Sequence, residues 1–352
     1  MKDVVFKLLK KAIKELKVKI PDEKLWNMIE IPPNQEMGDY SFPCFSLTPI
    51  MEIDAHEIAL ELRENIGEPP ATEFEDIQVK GPYLNFFLNR KSLARTTLWD
   101  IITKKKTYGS SDLGKGKKTM IEFPSPNTNK PLHLGHLRNM AIGESISRIS
   151  EFNSEKVIRA NLNNDRGIHI CKSMLAYKKW GKEALPEKKK IKSDHFVGDF
   201  YVMFEKKKTK ELEEEARILL QKWEAGDKNT LLLWKVMSQW ALEGHAETYK
   251  TFGINPDAVF FESKIYEEGK KLILDGVKKG IFQRTPGGEI KLDLKKEGLG
   301  EKILLRGDGT SLYIVQDIAL AKMKFKDYKI DKSLYIVGQE QEYHFKVLFT
   351  IL

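Results

Sequence analysis

Glu122-Phe-Pro-Ser-Pro-Asn-Thr-Asn-Lys-Pro-Leu-His-Leu-Gly-His-Leu-Arg138 decides how this chain is read. Before it, Thr119-Met-Ile-Glu-Phe123 is a short apolar run between Gly116 and Pro124, the pattern of a buried strand. After it, Leu134, Leu137, Met140, Ala141, Ile142, Ile146 and Ile149 recur at helical spacing and predict a helix from about Leu134 to about Phe152. The order is strand, proline-punctuated loop, helix.

A helix start offers free N–H groups and a positive dipole end, a natural seat for phosphate. His133 and His136 are three apart and can share one face of the first turn, donating to phosphate oxygens. Gly135 between them would let a base or sugar approach the backbone. Such donors matter most where charge grows on an α-phosphate as pyrophosphate leaves. The same histidines are also compatible with simple helix caps, or with a metal pair, although no Cys or Glu-x-x-His spacing nearby supports a metal.

At these residues the chain resembles a class I aminoacyl-tRNA synthetase, whose signature is His-Ile-Gly-His or a near variant on such a turn. The longer run from Glu122 to Arg138 is similar to that of arginyl-tRNA synthetases. The resemblance implies an α/β fold: a Rossmann-like parallel nucleotide-binding sheet with a helical insertion, preceded by a small α+β N-terminal domain.

Length agrees with more than one core: 352 residues, 41% apolar and 31% charged, suit two domains plus an insertion. No apolar run is long enough to span a bilayer, and no signal-peptide core opens the chain, so a cytoplasmic protein with no membrane role is expected. Cys44 and Cys171 are too few for a disulfide framework. A net charge of +8 is compatible with an RNA partner and equally with a lysine-rich solvated surface.

In chain order, Val4, Val5, Leu8, Leu9, Ala12, Ile13 and Leu16 mark a first helix, and Trp26–Ile31 reads as a strand. Asp54 and Glu57 cap a second helix, Ala55 to about Ile66, and Phe74–Lys80 and Tyr83–Leu88 are strands around Gly81-Pro82. This module, 1–104, is similar to the additional N-terminal domain of arginyl-tRNA synthetases, which grips the D-loop corner of tRNA. The resemblance makes Tyr83 and Asn85 the residues that stack on and hydrogen-bond a loop base, chemistry apt for unpaired RNA; plain sheet packing is the other reading. Residues 105–118, rich in Gly and Lys, form the expected linker to a catalytic domain over 119–352.

Lys156–Asn161 reads as the second parallel strand, leading into Asn161-Leu-Asn-Asn-Asp-Arg-Gly-Ile-His169 at the edge where an open α/β sheet binds ligands. This resembles the family's Asn-x-x-Gly-Asp-Trp-Gly, with Asn164 in place of the glycine and Arg166 in place of the tryptophan; Asn161 and Asp165 are then supporting residues. About 175–257 is read as the helical insertion, with Trp180, Trp223, Trp234 and Trp240 as packing anchors. Val259-Phe-Phe261 resumes the sheet, Lys264–Lys279 is a helix, and Ile281–Leu294 is a hairpin around Pro286-Gly-Gly288. Leu312–Val315 is an apolar run leading into a helix over Ile318–Phe325, Ser333–Val337 is a strand, and Gly338–Phe345 opens a closing helix.

A guanidinium is planar, permanently charged and carries a fork of donors, so a site for it needs a carboxylate and a flat partner in register. Tyr313 and Asp317, four apart, fit that need, though an Asp before an apolar helix is also a cap. By resemblance, Glu122, Tyr313 and Asp317 hold the guanidinium while Asn127 and Gln341 take the amino-acid backbone end. Ser125, Leu134, Gly135, Gly338 and His344 border ATP, and His133, His136 and Lys130 are catalytic with Mg²⁺ carried by ATP and no resident protein-bound metal.

The function implied is activation of L-arginine by ATP and its transfer to tRNA(Arg), by a monomer. The family's Lys-Met-Ser-Lys-type loop and anticodon-binding domain have no counterpart in these residues, so incomplete activity is expected. Two rivals remain: a non-catalytic tRNA-binding synthetase-like protein, and a small-metabolite adenylyltransferase of the same superfamily.

Overall fold

The computed structural model describes residues 1–352 as two compact units, Met1–Gly109 and Ser110–Leu352. In the first, helix α1 (Lys2–Glu15) buries Val5, Leu9, Ala12 and Ile13 along one stripe and turns its lysines outward. Helix α2 (Asp22–Met28) follows, then strand β1 (Tyr40–Pro43), the single turn α3 (Thr48–Met51) and α4 (Ala55–Ile66). Asp54 caps α4, its side chain accepting the His56 N–H at 2.7 Å. Strands β2 (Phe74–Lys80) and β3 (Tyr83–Leu88) complete an antiparallel sheet of order β1-β3-β2, and α5 (Arg90–Lys104) closes the unit. Phe42, Phe74, Leu84 and Phe86 meet Leu9, Ile58 and Leu62 in one core.

Trp26–Ile31 is not a strand. Pro21 stands at the N-cap of α2 with Asp22 and Glu23 in its first turn, so helix-start chemistry overrides the aromatic and β-branched content.

The second unit begins with β4 (Lys118–Glu122), crosses through α6 (Leu134–Phe152) and returns as β5 (Lys156–Asn163). The chain then leaves the sheet through α7 (Ile168–Trp180), α8 (Pro186–Lys189), α9 (Ser193–Lys206), α10 (Lys210–Glu224) and α11 (Lys228–Phe252). These helices own a separate core in which Tyr177, Phe196, Phe200 and Trp240 stack edge to face. Strand β6 (Ala258–Phe261) and α12 (Glu262–Lys278) resume the first layer. A small antiparallel sheet, β7 (Gln283–Arg284), β8 (Ile290–Leu294) and β9 (Gly300–Leu305), precedes α13 (Tyr313–Tyr328), β10 (Lys332–Tyr335) and α14 (Glu342–Ile351).

The main sheet is parallel throughout, in the order β10-β4-β5-β6. Chain order reverses at β4, which has β5 on one side and β10 on the other, and a ligand crevice opens at the carboxyl ends beside such a switch point. Glu122 pairs in register with Ala160 and Tyr335, and Asn163 with Phe261, so β4 and β10 end level with each other while β5 and β6 run on past them to wall one side of the crevice.

Helix α13 starts at Tyr313 rather than at Ile318. The turn after β9, closed by Arg306 N–H to the Thr310 carbonyl at 2.9 Å, brings Leu312 N–H back to the Leu304 carbonyl at 3.0 Å, and Val315 N–H bonds Leu312 at 3.0 Å, so the helix opens directly after that turn. The apolar residues of α6 also divide: Met140 is buried, whereas Leu134, Ile142 and Ile149 face outward.

Candidate active site

The loop after β4 is zipped onto the carboxyl end of β5. Thr128 N–H bonds the Asn164 carbonyl at 3.1 Å, Asn164 N–H bonds Pro126 at 3.0 Å, and Asn164 Nδ2 donates to Asn127 Oδ1 at 3.0 Å. Ser125 sits in the left-handed region at φ +54, held there by its N–H to Asn161 Oδ1 at 3.2 Å and by Leu162 N–H to its Oγ at 3.4 Å. The two polar clusters in the sequence are thus one structure, and Asn164 supplies a side-chain brace that a glycine could not.

Two histidines close the mouth of α6. His133 is its N-cap, with Nδ1 accepting the Gly135 N–H at 3.1 Å, while His136 Nδ1 accepts the His133 N–H at 3.1 Å. The rings lie 4.0 Å apart, tilted by 39°. Because both Nδ1 atoms accept backbone protons, each neutral ring carries its hydrogen on Nε2, ready to donate. Burial, then the neighbouring His133, Lys130 and His245, push the His136 pKa down to about 4, which keeps that ring neutral. A side chain at Gly135 would approach the His133 ring to 2.9 Å, so the glycine is what lets the cap form. Capping and ligand donation are compatible roles of opposite ring edges.

A crevice of 380 Å³ at the switch point brings together Glu122, Ser125, Asn127, Tyr313, Asp317, Gln341 and His344. It shares Arg166, His169, Glu262, Tyr313 and Gln316 with a larger neighbouring cavity of 650 Å³. Gly338 lies apart, lining a groove with Tyr335 and Phe345, and its N–H bonds Gln341 Oε1 at 3.3 Å. His344 Nε2 meets Asp317 Oδ2 at 2.7 Å, so this histidine engages the carboxylate expected for a guanidinium.

Glu122 is already engaged. Lys324 of α13, completely buried, places Nζ 2.5 Å from Glu122 Oε2 and 4.2 Å from the centre of the Tyr335 ring. The free carboxylate is instead Glu262, first residue of α12: it is 3% exposed, and its Oε2 has no hydrogen-bond partner. Burial pushes its pKa up to about 8, Arg166 working against this and Asp317 and Asp165 adding to it. Asp165 sets the start of α12, accepting from Ser263 N–H at 2.8 Å and Ser263 Oγ at 2.6 Å. Arg166 pairs with Glu224 at 2.6 Å and lies 4.2 Å from the Tyr266 ring centre.

In the amino-terminal unit Tyr83 is half-buried, edge to face with Phe45 at 5.7 Å. Asn85 is 1% exposed and its Oδ1 accepts from Ser41 Oγ at 2.7 Å, so its side chain is not presented to a base.

Residues 97–352 match the family model "tRNA synthetases class I (R), catalytic domain", and residues 3–88 match "Arginyl tRNA synthetase N terminal domain". The chain is 48% identical over 92% of its length to an arginine–tRNA ligase of Treponema denticola, and 45% identical over 86% to one of Parabacteroides distasonis. The chain belongs to the arginyl-tRNA synthetase family. It spans 56% and 53% of those two relatives. The fold is also that of solved arginyl-tRNA synthetases from Thermus thermophilus (TM-score 0.62, 24% identity, 92% of this chain, 53% of that one) and Plasmodium falciparum (TM-score 0.66, 18%, 99% and 61%).

Against the arginyl-tRNA synthetase signature, the residues that sequence reasoning missed are Glu262 and Lys324. Both had a signal. Glu262 directly follows a strand of the parallel sheet, and Lys324 falls on the same inward face of α13 as Ala321 and Leu320. No helix is long and apolar enough to cross a membrane.

Proposed function

We propose that the chain is the amino-terminal and catalytic part of an arginine–tRNA ligase, which activates L-arginine with ATP and transfers it to tRNA(Arg). The observation that carries this reading is the convergence of Tyr313, Asp317 and Glu262 in one crevice at the carboxyl end of β4, the strand whose following loop runs on to the two Nε2 donors at the mouth of α6.

ATP, with Mg²⁺, lies across the mouth of α6, its adenosine bordered by Ser125, Leu134, Gly135 and Gly338. The guanidinium is taken by Asp317 and Glu262 against Tyr313, and Asn127 and Gln341 hold the amino-acid end. Glu122 acts through its pair with Lys324 at the base of the crevice, and His344 steadies Asp317. The arginine carboxylate attacks the α-phosphate, and His133, His136 and Lys130 stabilise the charge that develops as pyrophosphate departs. A hydroxyl of the terminal ribose of tRNA then attacks the carbonyl carbon of the arginyl-adenylate, forming the ester and displacing AMP, with no covalent enzyme intermediate. Tyr83 supplies the tRNA contact of the amino-terminal module, Asn85 supporting it from below. The reading includes a monomeric, cytosolic protein and domain limits at 1–104 and 119–352 with an insertion over about 175–257.

Pyrophosphate exchange into ATP, measured on the complete gene product with tRNA present, tests it. Exchange that requires arginine and is not supported by lysine is expected. Intact tRNA binding with no exchange would favour a non-catalytic RNA-binding protein, and exchange with a small metabolite in place of arginine would favour the adenylyltransferase.

A further inference from the structure

The loop that carries Lys130 is gripped by the helical insertion. His245, on the inner stripe of α11 and 1% exposed, meets the Lys130 carbonyl oxygen through Nε2 at 3.0 Å. A carbonyl only accepts, so Nε2 carries the proton. Nδ1 has no partner, and burial holds the ring in its neutral form. The next residue of the loop is gripped as well: a side chain on Gly198 of α9 would come within 2.6 Å of Pro131 Cδ. The two gripping helices are themselves locked. Gly244 lies so close to α9 that a Cβ there would stand 2.5 Å from the Asp194 carboxyl, and Lys192 Nζ ties Asp194 Oδ2 at 2.8 Å to Thr248 Oγ1 at 2.9 Å.

We propose that His245 is a positioning residue for the activation step: its Nε2–H fixes the Lys130 peptide, and thereby aims the Lys130 ammonium at the phosphate seat before α6. The inference rests on the nucleotide reading given above. A long, flexible side chain can be aimed only from its base, and the base here is held on its carboxyl side, where the Lys130–Pro131 peptide carries both the proline ring packed on α9 and this one hydrogen bond. Without His245 the Lys130 carbonyl would lose this partner, and the loop would shift to find another.

Three variants of the 352-residue chain separate this role from packing. In His245→Gln the amide nitrogen reaches the place of Nε2; in His245→Asn it stops at the level of Nδ1; His245→Phe keeps the volume and removes the donor. Affinities for Mg·ATP and for arginine are read by calorimetry, and the mobility of residues 125–140 by hydrogen–deuterium exchange. His245→Gln should stay within about threefold of wild type, whereas His245→Asn and His245→Phe should weaken Mg·ATP by about tenfold with arginine unchanged, the equivalent of one lost hydrogen bond. Faster exchange over 125–140 should appear in the Asn and Phe variants alone. Mg·ATP binding by His245→Phe equal to wild type, or a Gln variant as impaired as the Phe variant, would overturn the proposal. Failure of the wild-type chain to bind Mg·ATP would count against the nucleotide reading instead. The exchange data would then still decide the grip, since unchanged exchange in His245→Phe removes it.

Discussion

His133 and His136 cap one helix reciprocally, each Nδ1 accepting a backbone N–H at 3.1 Å, and the pair therefore turns two Nε2–H groups away from the helix. The capping duty uses Nδ1 and leaves Nε2 of each ring for the proposed contact with phosphate.

They can be separated at position 136. In His136→Asn the side-chain oxygen takes the place of Nδ1, so the cap survives and the thermal midpoint should stay close to wild type. The Nε2 donor is lost, and arginine-dependent exchange by the complete gene product should fall by about 10²–10³, the usual cost of removing one such donor. A fall of less than threefold would deny His136 its catalytic part.

The pair of Lys324 with Glu122 makes a prediction about folding. Lys324→Met leaves a buried carboxylate without a partner and should cost about 3–5 kcal/mol in urea denaturation. Adding Glu122→Gln should recover more than half, because the uncompensated charge disappears. Equal stability of single and double variants would mean the two groups do not depend on each other.

Glu262 makes stability depend on pH in a definite direction. Its folded-state pKa of about 8 lies above its ordinary 4.5, so between those values the folded chain binds more protons than the unfolded one. Stability of the empty protein should therefore fall as pH rises from about 5 to 8, and Glu262→Gln should flatten that slope. A guanidinium favours the ionised carboxylate, so arginine should bind more tightly as pH rises over the same range, releasing a proton. Calorimetry in buffers of different ionisation enthalpy checks the proton; an arginine affinity indifferent to pH would exclude Glu262 from the site.

Tyr83 and Asn85 should part company. Tyr83→Ala should weaken tRNA binding by the complete gene product about tenfold or more, the loss of one base stack, with stability little changed. Asn85→Ala should lower stability, since it orphans Ser41 in the core, and leave tRNA affinity to the folded fraction intact. A filter-binding titration beside a melting curve distinguishes them.

Local chemistry made much of this legible in the sequence. Strands Phe74–Lys80 and Tyr83–Leu88 and helix Ala55–Ile66 announce themselves through alternation, a Gly-Pro turn and an Asp cap, and the structure has them at those residues. The signature loop was readable because its prolines, asparagines and histidines have few other uses together. What stayed hidden depends on partners distant in the chain. Nothing near Glu122 says that Lys324 will reach it, and nothing near Asp165 says that it will cap a helix beginning at Glu262. The Trp26 segment misled because its side chains favour a strand while Pro21 and the acids after it favour a helix start.

The cap from Asp165 onto Ser263, with Asn163 paired to Phe261 one step below, closes the doorway through which the helical excursion leaves and re-enters the sheet. Its two ends are pinned together by the sheet itself, so the excursion has no need to hold the strands in place. Lengthening the outer helices or exchanging their far surface would cost the chain little loop-closure entropy. Such a module can change in size while the stapled threshold beneath it stays the same.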